Sequence, residues 1–245
     1  MRRFFVDQHA ISANQAILTE KESRHITTVL RMQAGDIVEL FDESGTVYTG
    51  TINITSHQSV TVQILSRQPA IDPISPHLSL YQSMLKGKKM DFLVQKCTEL
   101  GVHSFHPVLT KFSENRGNLE RQNSRWQRIM LEACKQCKRP HPMKIHSSIP
   151  LRTIDFSPFS TKLLFWENEE TCALQQQHVS GNDTIGVLLG PEGGFHSDEI
   201  EWAARQGFQT VSLGSRVLRA ETASLSVIAI IQYLCGTLSP EPESS

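Results

Sequence analysis

Val187-Leu188-Leu189-Gly190-Pro191-Glu192-Gly193-Gly194-Phe195 carries an apolar, strand-like stretch straight into a glycine-rich loop. Just beyond it, Ser197 can cap a helix whose first turn holds Asp198 and Glu199, favourable charges at the positive end of the dipole. A strand, a glycine loop and a helix in that order make an α/β unit, and in open α/β sheets ligands bind at the carboxyl ends of strands. No Gly-Lys-Ser/Thr follows, so the loop is not a P-loop, and the G-x-G-x-x-G spacing of a dinucleotide fingerprint is missing. The glycines alone leave two readings open, a tight strand-to-helix turn and a ligand loop.

A second segment repeats the pattern. Val211-Ser212-Leu213-Gly214 ends a strand on glycine, and Ser215-Arg216-Val217-Leu218-Arg219-Ala220-Glu221 leads into an apolar helix. Arg219 and Glu221 stand where charge is expensive unless paired or used. The plainer reading of the two is a helix cap with an ion pair.

The flanking sequence extends the alternation. Strands are predicted at 77–82, 162–166, 184–189 and 209–213, and helices at 90–100, 121–137 and 221–234. The last helix is almost wholly apolar and is expected to be buried. This predicts an α/β domain over 77–236 with a mostly parallel sheet. Residues 1–70 read differently. A helical stretch at 22–32 precedes short β-branched runs at 36–42, 46–52 and 59–65, with Glu43-Ser44-Gly45 as a hairpin turn, which predicts a small β-barrel. Pro69, Pro73 and Pro76 mark a linker at 71–76, and the proline-containing tail 237–245 is expected to be disordered.

The chain has 245 residues, with 24 Lys plus Arg against 25 Asp plus Glu and a net charge of -1. Resolved along the chain, residues 71–146 hold 13 basic and 6 acidic side chains, while residues 147–245 hold 5 and 12. A basic middle therefore offsets an acidic C-terminal third, and an anion-binding face is compatible with the neutral total. Composition excludes collagen-like and wholly disordered chains. Met1-Arg2-Arg3 is not followed by a signal-peptide apolar region, and the strongest apolar run, Val227 to Ile231, is too short to span a bilayer. Five cysteines in a chain this long do not resemble a disulfide framework, so a cytoplasmic protein is expected.

Leu188 to Phe195 and Leu213 to Ala223 together resemble the paired cofactor motifs of the SPOUT-class bacterial methyltransferases that make N3-methyluridine in small-subunit ribosomal RNA. Lys86-Gly87-Lys88-Lys89-Met90-Asp91, Gln95 to Val102, Arg3-Phe4-Phe5-Val6 and His25 through Arg31 match the same family in order, over nearly the whole chain. Lys135 departs from it, since the family usually has an acidic residue there. The resemblance implies a C-terminal SPOUT α/β trefoil-knot domain preceded by a PUA-like β-barrel that helps bind RNA, and a homodimer with sites near the subunit interface. It implies S-adenosylmethionine bent in the knot, held by Leu189, Gly190, Pro191, Glu192 and Gly193 and by Leu213, Gly214, Val217 and Leu218.

Chemistry assigns candidate roles to the charged pair. Uridine N3 carries a proton near neutral pH, so Arg219 is a candidate to stabilise negative charge on the uracil oxygens. Glu221 is a candidate to orient Arg219 or accept a proton. N3 lies on the pairing edge, so the base must be unpaired or extruded. Arg3, Arg31, Lys86, Lys88, Lys89 and Arg139 are candidate phosphate contacts, although each alone is more often a solvated charge. Cys134, Cys137, His141 and His146 offer metal-capable groups, but their spacing is not that of a zinc finger and no metal is expected. Two alternatives stand beside the leading reading: a SPOUT enzyme with another RNA target, and a non-catalytic RNA-binding assembly factor with a relic pocket.

Overall fold

The computed structural model describes residues 1–56, 59–69, 76–113, 118–174 and 179–238. The expected linker, apart from Pro76, and residues 239–245 of the expected tail lie outside the described residues. Two compact units are present: Met1–Ile71 with Leu131–Pro142, and Asp72–Met130 with Met143–Ser245. Segment Leu131–Pro142, which punctuation by prolines leaves in the second domain, therefore belongs with the first.

The first unit contains β1 (Arg2–Phe5), β2 (Ile11–Ser12), β3 (Gln15–Ile17), α1 (Glu20–Arg24), β4 (Ile37–Phe41), β5 (Val47–Ser56) and β6 (Ser59–Gln68). The strands lie in the order β1-β4-β5-β6-β3-β2, with β1 parallel to β4 and the other pairs antiparallel. Alternation along β6 sends Val60, Val62 and Ile64 into a core shared with Phe4, Leu40 and Ile26, as a period of two requires. The β4–β5 hairpin turns at Gly45, whose φ of +82° favours glycine. Buried Asp42 organises that turn by accepting from Ser44 N at 2.9 Å, Thr46 N at 3.1 Å and the Tyr48 hydroxyl at 2.8 Å.

Lys135 finds its counter-charge within this unit. Its ammonium is paired with Glu22, a buried carboxylate on α1, and with Glu132 at 3.3 Å. The departure from the family pattern at 135 is thus neutralised by local acids. Arg3 is a correction to the list of phosphate candidates. It is 9% exposed, its Nε lies 2.9 Å from Glu39, and its guanidinium sits 4.6 Å from the centre of the Phe41 ring. A cation so enclosed has no face left for a phosphate.

The second unit contains β7 (His77–Ser83), α2 (Lys89–Glu99), β8 (Ser104–Leu109), α3 (Leu119–Cys137, its C-terminal part in the first unit), β9 (Lys144–Ile145) and β10 (Ile149–Pro150). It continues through β11 (Thr161–Phe165), β12 (Thr184–Leu189), α4 (Ser197–Arg205), β13 (Gln209–Val211) and α5 (Ala220–Leu234). The sheet runs β10-β8-β7-β12-β11-β13, with β9 beside β8, and every pair is parallel. Parallel strands are covered on both faces, which is why β7 is buried along six of its seven residues. Part of the polar surface this buries forms one network: Ser79 Oγ lies 2.7 Å from Ser104 Oγ, which lies 2.9 Å from His106 Nε2. Burial pushes the His106 imidazole down to about 3, so the ring is neutral and serves this network as a structural group.

Two expectations for the helices are corrected. The cap of α4 is His196, not Ser197: its Nδ1 accepts from Asp198 N at 3.3 Å while Glu199 accepts from His196 N at 3.0 Å, a capping box built on imidazole. α5 is only half covered. Ser224, Val227, Ile228, Ile231 and Gln232 are buried, whereas Ile230, Tyr233 and Leu234 are exposed at 40%, 70% and 44%. An apolar helix lying on one layer of a single chain can bury only one of its faces.

Candidate functional site

Three neighbouring parallel strands, β12, β11 and β13, end at Leu189, Phe165 and Val211. Their carboxyl ends open into loops at 190–196, 166–173 and 212–219, and the last two are stitched by a parallel bridge between Ala173 and Ser212. The loops enclose a cavity of about 860 Å³. That falls within the range of small-molecule sites, at the position where open α/β sheets bind ligands.

Of the residues singled out in the sequence, the structure gathers Leu189, Gly190, Pro191, Glu192, Leu213, Gly214, Val217, Leu218 and Arg219 around this cavity. Gly193 is not among its lining; it backs onto Phe112, and Gly194 lines the wall instead. Bare backbone suits both positions. A Cβ on Gly190 would lie 3.2 Å from the Phe195 ring, and Gly214 has a φ of +106° that side chains rarely adopt. Arg219 is the N-cap residue of α5 and is exposed, with no side-chain capping bond of its own.

Glu221 does not line the cavity. Its carboxylate lies 3.3 Å from Lys89 Nζ, and the same ammonium lies 3.0 Å from Glu192. Burial opposes ionisation of Glu192, but the hydrogen bond and charge of Lys89 hold its carboxyl below the usual range. Lys89, a phosphate candidate from sequence, is thus engaged by two carboxylates and faces the cavity. Lys86, Lys88 and Arg31 have exposed side chains, and Arg139 is half-buried, its Nε donating to His141 O at 2.7 Å. The Cys134–His146 set does not converge: Cys134 is fully buried in the core, and the His146 ring stacks on His106 at 3.9 Å. Among the described residues, no group of three or more His, Cys, Asp or Glu is placed to hold a metal.

A model of an RNA methyltransferase domain matches residues 73–232, and one of an RNA methyltransferase PUA domain matches residues 18–65. Ribosomal RNA small subunit methyltransferase E of Buchnera aphidicola subsp. Acyrthosiphon pisum is 30% identical over 233 residues, covering 92% of this chain and 91% of its own. The same-named protein of Aquifex aeolicus is also 30% identical, over 89% of this chain and 94% of its own. The crystal structure of the Neisseria gonorrhoeae protein of that name, bound to S-adenosyl methionine, superposes with a TM-score of 0.84 at 30% identity. It covers 96% of this chain and 98% of that one.

The chain belongs to the small-subunit ribosomal RNA methyltransferase E family. Its fold is accordingly the family's, an α/β RNA methyltransferase domain preceded by a PUA domain. In this methyltransferase E chain the third loop, 166–173, is the part of the site that motif reading missed. Glu169 is its organiser: Oε1 accepts from Thr171 Oγ1 at 2.6 Å and Cys172 N at 3.1 Å, and Oε2 accepts from Thr210 Oγ1 at 2.5 Å. Hydrogen bonds from Thr171 and then Thr210 hold its carboxyl down to about 2, so the loop keeps a fixed negative charge. The available signal was the strand end at Phe165-Trp166 followed by the acidic run Glu167, Glu169 and Glu170.

Gln82 was also missed. It is fully buried at the end of β7, where its Nε2 donates to Gly190 O at 3.1 Å and its Oε1 accepts from Ser224 Oγ at 2.5 Å. One amide thereby ties the first glycine loop to the helix that follows the second.

Proposed function

We propose that this chain is an S-adenosylmethionine-dependent methyltransferase that methylates N3 of a uridine in small-subunit ribosomal RNA. The observation that carries the reading is the exposed guanidinium of Arg219 at the wall of a glycine-lined cavity, in a chain of the methyltransferase E family. The cavity fits the cofactor in size, in the bare backbone at Gly190 and Gly214, and in the fixed negative charge of Glu169, which complements a sulfonium.

When bound, S-adenosylmethionine supplies an electrophilic methyl carbon. Leu189 to Glu192, with Leu213, Gly214, Val217 and Leu218, would hold it, and Gly193 stands behind the first loop as a spacer. Arg219 stabilises the charge that gathers on the uracil oxygens as the N3 proton passes to solvent water. Glu221, paired with Lys89 outside the cavity, positions the start of α5. Lys86, Lys88 and Arg31 contact phosphates, with Arg139 as a partly engaged fourth. The chain acts as a homodimer, a reading supported by the exposed apolar side chains of Val217, Ile230, Tyr233 and Leu234. It acts in the cytoplasm, where ribosomal RNA is; among the described residues no helix is long and apolar enough to cross a membrane.

Mass spectrometry of ribosomal RNA from a deletion strain tests the activity. The expected result is loss of one N3-methyluridine from the small-subunit RNA. Its undiminished persistence overturns the reading, and a loss from transfer RNA instead would assign another target. Calorimetry with S-adenosylmethionine tests the relic alternative, which predicts no binding. The same titration on Gln82→Met is expected to show about tenfold weaker cofactor binding, because two buried polar partners lose their bond and the Gly190 loop its anchor. Unchanged affinity would remove Gln82 from the site's support.

A further inference from the structure

Lys89 is a cation in an unfavourable place. It is the first residue of α2, where the helix dipole repels positive charge, and the N-cap before it, Lys88, supplies no side-chain capping bond. The acid of that first turn, Asp91, is engaged elsewhere, by Arg125 and by Trp126 Nε1 at 3.2 Å. What holds the Lys89 ammonium comes from two other elements. Its Nζ lies 3.0 Å from Glu192 Oε1, in the first glycine loop, and 3.3 Å from Glu221 Oε2, in the first turn of α5. That Glu221 oxygen is closed off from water, so the ammonium is the counter-charge it faces. Glu192 Oε1 also accepts from Lys86 N at 3.1 Å, which fixes the loop against the start of α2. The hydrogen bond to Glu192, reinforced by Glu221, holds the Lys89 ammonium protonated beyond the usual lysine range. Side-chain exposures of 35% for Lys89, 25% for Glu192 and 18% for Glu221 give this bridge more enclosure than an open surface pair.

The two carboxylates belong to different parts of the site. Glu192 follows Leu189 to Pro191, whose backbone would hold the cofactor, and Glu221 lies just beyond Arg219. Arg219 is the N-cap residue of α5, and its carbonyl accepts from Ala223 N at 2.8 Å, so whatever places the first turn also places Arg219. Gln82, near the end of β7, joins the same two elements from the buried side, through Gly190 O and Ser224 Oγ. Two ties therefore run between the cofactor loop and α5, a neutral one in the core and a charged one facing the cavity. A pair of separated ties resists rotation of the helix about either one, which a single tie cannot do. Methyl transfer needs that rigidity, because the donor carbon and the group that stabilises the acceptor's charge must be fixed relative to each other.

We propose that Lys89 is a positioning residue: by bridging Glu192 and Glu221 it fixes Arg219 relative to the loop that holds the methyl donor. The proposal rests on the methyltransferase reading and on the role given there to Arg219. Its test is a double-mutant cycle in the full-length protein with unmodified small-subunit RNA, reading the single-turnover rate at saturating cofactor and the steady-state KM for RNA. Lys89→Met is expected to lower the rate about tenfold in the parent but less than about twofold in the Arg219→Ala background, where no guanidinium is left to misplace. Glu221→Gln breaks the same bridge without leaving an unpaired carboxylate and is expected to show the same pattern. Lys89→Arg keeps both pairings and is expected to stay within about threefold of the parent. KM for RNA is expected to hold in all three. An equal loss in both backgrounds, or an unchanged rate in Lys89→Met, overturns the positioning role. So does a raised KM with an unchanged rate, the signature of a phosphate contact. A parent protein that methylates no RNA, or an Arg219→Ala variant as active as the parent, would instead sink the reading on which the proposal rests, so the failures are distinguishable.

Discussion

Replacing Arg219 with Ala lowers methyl transfer by about 10²–10³-fold, the range found when one donor to a developing anion is removed. Cofactor affinity stays close to that of the parent. The side chain lines the cavity and is exposed, and it supplies no capping bond to α5, so its loss leaves the helix start without a structural debt. The backbone that would grip the cofactor, at 189–192 and 213–218, is untouched. Single-turnover methyl transfer with saturating cofactor, paired with calorimetry, separates the two quantities. An equal loss of affinity and rate would assign Arg219 to cofactor binding and leave the uracil oxygens without their counter-charge. Arg219→Lys is a useful companion, because an ammonium keeps the charge but not the planar fork, and a partial rescue is expected.

Lys135→Ala lowers the unfolding free energy by about 3 kcal/mol, as breaking an enclosed ion pair does. Side-chain exposure decides the size: 14% for Lys135 and 11% for Glu22, so the lost cation leaves a desolvated carboxylate behind. Were this an open surface pair, the cost would be about 1 kcal/mol or less. Glu132 is 56% exposed in its pairing with Lys135 and keeps water as a partner, so Glu132→Ala is expected to cost little. Chemical denaturation of the parent, Lys135→Ala and Glu22→Gln with Lys135→Met checks the assignment. The double variant is expected to recover most of the loss, since no uncompensated charge remains. A single-variant cost at the surface-pair level would show that Glu22 is solvated in solution.

Much of the fold was legible along the chain, and the reasons are local. β12 and the glycine loop after it announce themselves because an apolar run meeting Gly190 and Pro191 has few other conformations open to it. The helix expected over 90–100 was likewise readable, because Gly101, with its φ of +80°, follows the C-cap of α2 as a left-handed residue. What failed did so where a residue's role depends on a distant neighbour. Arg3 looked like a phosphate contact until Glu39 and Phe41 were placed around it. Lys89 read as a surface cation, yet Glu192 and Glu221, more than a hundred residues away in the chain, converge on it. His196 caps α4 because its imidazole nitrogen reaches Asp198 N, a use that the usual preference for serine hides.

The amino-acid sequence by itself determined the two glycine-ended strands, the alternation that makes an α/β unit, the β-branched runs of the barrel and the uneven charge behind a neutral total. Those are properties of neighbours in the chain, decided by backbone sterics and periodic burial. Only the tertiary structure decided that β11 supplies a third wall through Glu169, that Gln82 joins the first glycine loop to α5, and that Phe112 lies against Gly193. Each of these joins residues well apart in the chain, and their distance in space is set by strand order in the parallel sheet, which no local pattern encodes.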